Sequence, residues 1–171
     1  MIDFVFSEMG QDKLFDLIRC KLALRVTSNG TNTSRRSSTN HSSYSLRNGG
    51  LNARQLQASS EICSSIVYIL THIAAGLPRH RQILINQIEL LKSIVPLFGH
   101  EKPEIRVSCV WVVINLTWMD DESDRPRCRA CAKELMRLGY FERLKTLEND
   151  PELDVKERTK TAMHQMANML R

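Results

Sequence analysis

The stretch "VSCVWVVINLTW", Val107 to Trp118, holds almost nothing but apolar side chains. Such a run reads as a helix covered on most sides. Asn115 interrupts it, one helical turn after Trp111. A buried amide needs hydrogen-bond partners, so its place in this helix calls for a physical reason.

The stretch recurs along the chain. "YILTHI", from Tyr68, aligns with "WVVINL", from Trp111, at an offset of 43 residues. "LLKSIVPLFGHEKPEIRVSCVWVVINL", from Leu90, aligns without a gap with "YFERLKTLENDPELDVKERTKTAMHQM", from Tyr140, at an offset of 50. This pairs Leu91 with Phe141, Ile94 with Leu144, Leu97 with Leu147 and Ile105 with Val155, and the acidic loop "MDDESDRPR" absorbs the difference between the offsets. The first 26 residues fit the same scheme. "EMGQDKLFDLI" and "RLGYFERLKTL" each place apolar residues five and eight positions after a glycine: Phe15 and Ile18 after Gly10, Leu144 and Leu147 after Gly139. A glycine there permits a sharp corner between two helices.

The unit is a short helix, a turn, a second helix, a loop and a long third helix. Unit one covers 2–74, unit two 79–118 and unit three 127–171. Periods of this length sit near the roughly 40–47 residues of armadillo and HEAT repeats. The expected fold is all-α, a right-handed α-solenoid of about three repeats. Residues 1–26 supply the first two helices of unit one, and 58–171 the remainder. Between them, 27–57 is rich in Ser, Asn, Thr, Gly and Arg. It has too few apolar groups to offset ordering entropy and is expected to be a disordered insert.

Four residues after Tyr68, Trp111 and Thr161 stand His72, Asn115 and Gln165. Each can donate and accept hydrogen bonds, and each shares a helix face with the residue one turn before it. A single buried amide would be read as satisfying a neighbouring loop carbonyl. Three at a repeat-defined position also fit a ladder along one wall of the solenoid. Amides beside aromatic faces suit an extended peptide, whose backbone and side chains they hold respectively.

"LMRLGYFERLKTLENDPELDVKERTKTAMHQM" resembles an armadillo repeat, with Gly139 at the helix corner and Gln165 where that family often places Asn. The W-x-x-x-N spacing of Trp111 and Asn115 is similar to that with which importin-α-type armadillo proteins hold basic peptides. "IRVSCVWVVINLTWMDDESDRPRCRACAKELMRLGYFERLKTL" resembles, more narrowly, the C-terminal region of the armadillo scaffold subunits of GID/CTLH ubiquitin ligases, the vacuolar import and degradation proteins of fungi. Arg106, Val110, Trp111, Asn115, Leu116, Trp118, the acidic loop and the Leu-Gly corner carry this likeness, which runs from about 60 to 171 and is weaker over 1–26. It implies a non-catalytic adaptor whose groove docks the tail of an exchangeable substrate receptor. Other surfaces would join the LisH/CTLH core that carries the RING subunits. The resemblance places Trp111 and Asn115 in the groove, with Tyr68, His72 and Gln165 at equivalent positions of neighbouring units. Trp118, seven residues after Trp111, fits a core position equally well. The alternative is an importin-α-like groove for basic nuclear-localisation peptides. That predicts several tandem W-x-x-x-N pairs, where this chain has one.

Other chemistry finds little support. The chain carries 24 basic and 19 acidic residues, a net of +5. Arg35, Arg36, Arg47 and Arg54 of the insert supply most of that excess, so no basic stripe on a folded element points to nucleic acid. The longest apolar stretch, "ICSSIVYILTHIAAGL", is too short to cross a bilayer, and "MIDFVFSEMG" lacks the charge of a secretory leader. Five widely spaced cysteines argue for a reduced compartment, cytoplasm or nucleus, where the N-x-S/T sequons are chance matches. Cys128 and Cys131 form a lone C-x-x-C without a second ligand pair for zinc. "DDESD", 120–124, lacks the glycine and terminal Glu of a calcium loop and reads as a solvated turn. No nucleophile, metal or phosphate-binding constellation assembles, so neither catalysis nor a cofactor, metal, membrane or small-molecule substrate is expected. "RRSS", Arg35 to Ser38, fits a basophilic kinase site, at which a phosphate would cancel part of the insert's charge. Phosphopeptide mapping is expected to find Ser37 or Ser38 occupied, and an unmodified pair of serines would remove that site.

Overall fold

The computed structural model describes residues 1–29 and 53–171, with side chains from 1–23 and 57–171. Three helices form each layer. Layer one holds α1 (Ile2–Met9), α2 (Gln11–Asn29) and α3 (Ala53–Ala74). Layer two holds α4 (Pro78–Ile85), α5 (Ile88–Ile94), continued as a 3-10 turn over Val95–Gly99, and α6 (Pro103–Leu116). Layer three holds α7 (Arg125–Arg137), α8 (Tyr140–Leu147) and α9 (Leu153–Leu170). No strand occurs among the described residues. Helix α2 runs on to Asn29 and α3 begins at Ala53, so both reach inside the 27–57 limits drawn from composition. Most of the insert, with Ser37 and Ser38, lies outside the described residues.

Sequence signals at the helix ends explain the layers. Prolines open α4 and α6, where an N–H would lack a partner in any case. Gly10 and Gly139 take φ of 81° and 85° at the corners between first and second helices, a conformation open to glycine without strain. Layer two makes the same corner through Asn86 at φ −72° and needs no glycine. Helix α7 is longer than the short first helix expected of its unit, 13 residues against eight for α8. A continuous apolar stripe, Cys128, Cys131, Ala132 and Leu135, holds it along its length.

Stacking runs row on row. The third helices pack side by side, α3 on α6 and α6 on α9, while α2 packs on α5 and α8 on the 3-10 turn. The result is an armadillo-like α-solenoid. Helix α6 is the middle slab, with Ile105, Cys109, Val110, Val112, Val113, Ile114 and Leu116 all buried. This accounts for its all-round hydrophobicity. Fully burying one such valine is worth roughly 1.5–3 kcal/mol. The repeat-paired positions behave alike: Ile94 and Leu144 are wholly buried, as are Ile105 and Val155. Tyr140 crosses a layer boundary, donating its hydroxyl to Leu91 O at 2.8 Å and meeting Phe98 edge-on at 5.4 Å.

Two polar clasps tie the loops. Arg106, at the start of α6, donates Nε to Asp150 Oδ2 at 2.8 Å and Nη2 to Oδ1 at 2.7 Å. Its Nη1 donates to His100 O and Glu101 O. Both side chains are almost wholly covered, 11% and 5% exposed. The guanidinium hydrogen bonds hold the Asp150 carboxyl below its ordinary range. The second clasp fastens α1 to α4. His80 is buried, accepts the Leu77 N–H on Nδ1 and therefore carries its proton on Nε2, 2.8 Å from Asp3 Oδ1. Arg79 reaches Asp3 Oδ2 at 2.6 Å. Gly76 must be glycine here, because a Cβ would lie 2.4 Å from His80 Nδ1.

Breaking a covered ion pair from one side leaves a charge without its partner. Arg106→Ala and Asp150→Ala should each lower unfolding free energy by about 3 kcal/mol, and the double variant by clearly less than their sum. Urea titration of the four proteins checks this, and simple additivity would show the pair uncoupled. The hydrogen bonds from Arg79 and His80 lower the Asp3 carboxyl to about 2. A carboxyl depressed on folding stabilises above its unfolded pKa, and that contribution fades as pH falls through the folded value. The gap in melting temperature between the native chain and Asp3→Asn should therefore be full near neutrality and close as pH falls toward 2. A gap independent of pH would exclude the charged form of Asp3 as its source.

Candidate functional site

The third helices carry the polar column. Asn115 on α6 donates Nδ2–H to Thr71 O of α3 at 3.2 Å. Gln165 on α9 donates Nε2–H to Ile114 O of α6 at 2.9 Å and to Thr117 Oγ1 at 3.1 Å. Thr71 and Ile114 each precede the equivalent rung of their own layer, so the two bonds repeat one geometry at successive boundaries. The structure thus brings His72, Asn115 and Gln165 onto successive layers. The carbonyls that receive the amides belong to neighbouring helices rather than to loops. Asn115 and Gln165 are half-buried, and no protein donor among the described residues reaches Asn115 Oδ1 or Gln165 Oε1. Gln165 spends both amide N–H donors internally and Asn115 one of its two, while both side-chain oxygens remain as acceptors.

The aromatic positions differ from layer to layer. Tyr68 is exposed and meets the His72 ring edge-on at 4.3 Å. Trp111 is half-buried, and the Arg158 guanidinium of α9 lies 4.8 Å from its ring centre. That distance is within cation–π range. Arg158 also donates to Asp154 Oδ1, one turn away.

Beside Trp111 opens a cavity of about 310 Å³, lined by Ala74, Ala75, Arg81, Trp111, Ile114, Asn115, Trp118 and Asp120. Trp118 does not join the core: its side chain is 51% exposed. Helix α6 ends at Leu116, so helical spacing no longer decides where the next indole lies. Three donors anchor the backbone there, with Arg81 Nη1 at 3.1 Å, Arg127 Nη2 at 3.0 Å and the Cys128 thiol at 3.1 Å all on Trp118 O. Arg81 is buried, pairs with Asp120 Oδ2 at 3.0 Å, and keeps its Nε without an acceptor. Sequence reasoning left out Arg81 and read Asp120 only as part of a solvated turn. Their offset of 39 residues gives no periodic signal, and only the fold brings them together.

The acidic loop is a turn braced by arginines. Asp120 pairs with Arg81, Glu122 with Arg125 and Asp124 with Arg127, while Asp121 Oδ1 accepts the Ser123 N–H at 2.8 Å. Hydrogen bonds from Arg125 and Arg127 hold Glu122 and Asp124 below the usual carboxylate range. Cys128 and Cys131 are both buried on α7. Burial raises the Cys131 thiol to about 11, the wrong direction for a nucleophile. Among the described residues no three His, Cys, Asp or Glu side chains gather as a metal site, and no helix is long and apolar enough to cross a membrane.

No protein-family profile matches the chain. It is 24% identical over 107 residues to armadillo repeat-containing protein 8 of Danio rerio, and 25% identical over the same length to that of Mus musculus. In each case 63% of this chain is aligned, and it spans only 15% of the relative. An engineered protein solved by crystallography aligns with 64% of this chain and 58% of its own at 12% identity, with a TM-score of 0.35, too low to carry an argument. The likeness to the two vertebrate armadillo-repeat proteins accords with the stacked three-helix layers, an armadillo-like all-helical arrangement.

Proposed function

We propose that the chain is a non-catalytic armadillo adaptor of a GID/CTLH-type ubiquitin ligase. Its inner wall docks the extended tail of a substrate receptor, and its other surfaces meet the LisH/CTLH core, in the cytoplasm and nucleus. The observation that carries the groove is the pair of amide oxygens on Asn115 and Gln165, which no protein donor among the described residues reaches, with Asn115 lining one cavity beside Trp111 and Trp118. An extended peptide offers N–H groups at regular spacing for such acceptors and side chains for the indole faces. The likeness to armadillo repeat-containing protein 8 supports the armadillo part of this reading, and the resemblance of residues 105–147 to the ligase scaffold subunits supplies the rest. A groove for basic peptides is disfavoured because Arg158 already lies over Trp111, where a peptide cation would stack.

Co-purification of the chain is expected to recover a substrate receptor and the CTLH core rather than a transport receptor with basic cargo. Trp118→Ala removes an exposed indole and should change stability by no more than about 0.5 kcal/mol. Receptor capture should nevertheless weaken by about tenfold, or roughly 1.4 kcal/mol. Trp111→Ala with Asn115→Ala should weaken capture further while the far-ultraviolet dichroism stays helical. Unchanged capture by a folded Trp118→Ala protein would sink the groove.

A further inference from the structure

The cavity of about 310 Å³ that Trp111 and Trp118 line receives two polar side chains, Arg81 from α4 and Asn115 from α6. Arg81 is the less ordinary of the two. Its side chain is only 6% exposed, deep for a guanidinium. Nη1 is spent on Trp118 O and Asp120 Oδ2, while Nε is sealed without an acceptor. No protein acceptor among the described residues takes Nη2. A buried donor left unpaired costs free energy, so an acceptor brought by a ligand is favoured there. Asn115 has complementary needs. After its bond to Thr71 O it keeps Oδ1 and one N–H.

Charge narrows what can fill the cavity. A cation is opposed by Arg81 in the wall and by Arg158 over the Trp111 ring. A carboxylate would bring a second negative charge to a wall where Asp120 already balances Arg81 at 3.0 Å. A purely apolar side chain would leave both the Arg81 donor and Asn115 Oδ1 unanswered. What satisfies the wall is a neutral group with an acceptor and a donor on separate atoms, flat enough to lie against an indole. Among protein side chains that is a carboxamide.

We propose that this cavity binds the side chain of an Asn or Gln residue in the docked peptide, its oxygen on Arg81 and its N–H on Asn115 Oδ1. The inference rests on the reading of this wall as a peptide dock and names the side chain that sets the peptide's position along it. Asn115 Oδ1 has two lone pairs, so it can hold the carboxamide and a backbone N–H of the same peptide. Backbone bonds give an extended segment its affinity, and one filled pocket gives it specificity. Asp120 acts through Arg81: it balances the charge, so that the wall selects a neutral group over an acid.

The chain has two tryptophans and both line this cavity, so their indole N–H resonances report on it directly. The full chain, isotopically labelled, is titrated with acetylated, N-methylamidated alanine pentapeptides carrying Gln, Asn, Glu, Leu or Lys at the centre. Gln or Asn should shift both indole signals and saturate below about 10 mM, a range suited to one anchored side chain. Glu, Leu and Lys should each bind at least about tenfold more weakly, because each leaves a charge opposed or a donor unpaired. Asp120→Asn removes the balancing charge at an exposed loop position and should narrow the preference for Gln over Glu by about threefold or more. No saturable shift with either amide overturns the proposal. So does a Glu, Leu or Lys peptide that binds as well as Gln, or a preference indifferent to Asp120→Asn. The probes need no ligase subunit. A chain that captures the receptor yet ignores both amides removes this inference alone, and one that binds an amide without capturing a receptor upholds it.

Discussion

Third helices carry each layer to the next, and two side-chain amides fix how they lie. Asn115 reaches Thr71 O and Gln165 reaches Ile114 O, each crossing one layer boundary from the same repeat position. Hydrophobic contact alone is non-directional. Helices surfaced with Val, Ile and Leu could slide against one another at small loss of buried area. An amide that must reach a particular carbonyl, or else lose a hydrogen bond in a half-buried place, penalises such slippage. A single polar residue fixes register in coiled coils for the same reason. The proposed groove inherits its geometry from this constraint. Trp111 stands one turn before Asn115, so the bond that sets the register of α6 also sets the height of the indole along the wall.

Around α6 the arginines do for the loops what the amides do for the helices. Arg106 binds the loop before α6 and the loop before α9 through Asp150 and two carbonyls. Beyond the other end of α6, Arg81 and Arg127 converge on Trp118 O. Cations near a helix C-terminus also favour the negative end of its dipole. The middle helix is thereby held at both ends as well as on both flanks. The exposed indole of Trp118 follows from this arrangement: its backbone is fixed by three donors while its side chain is left outside.

Much of the fold could be read from spacing. The gap-free offset between Leu90 and Tyr140 paired positions that are in fact buried together, such as Ile94 with Leu144, because equivalent positions face equivalent neighbours. The glycine corners at Gly10 and Gly139 were legible because a positive φ restricts the residue type. The corner at Asn86 left no such mark, since its ordinary φ admits almost any residue. The geometry of the candidate site was legible in part. The positions of Asn115 and Gln165 followed from repetition, but the sequence could not tell which end of each amide faces the protein. Trp118 followed a helical period that the chain had already left. Arg81 and Asp120 meet only through the packing of α4 under the loop after α6.

The distribution of donors bears on what the wall can hold. Where a ladder keeps both ends of each amide for a ligand, it accepts a peptide strand in either direction and relies on that peptide for its own order. Here each amide nitrogen already holds a helix carbonyl, so the oxygens are positioned before any partner arrives. Preorganisation of this kind reduces the ordering that binding must supply. On the proposed reading it also selects: the two oxygens call for donors from a partner, and a cation could reach the covered face of Trp111 only by displacing Arg158. Because the rungs sit on the helices that join one layer to the next, loosening them for a different ligand would loosen the stack itself. Rigidity of the stack and selectivity of the proposed wall would therefore be set by the same pair of hydrogen bonds.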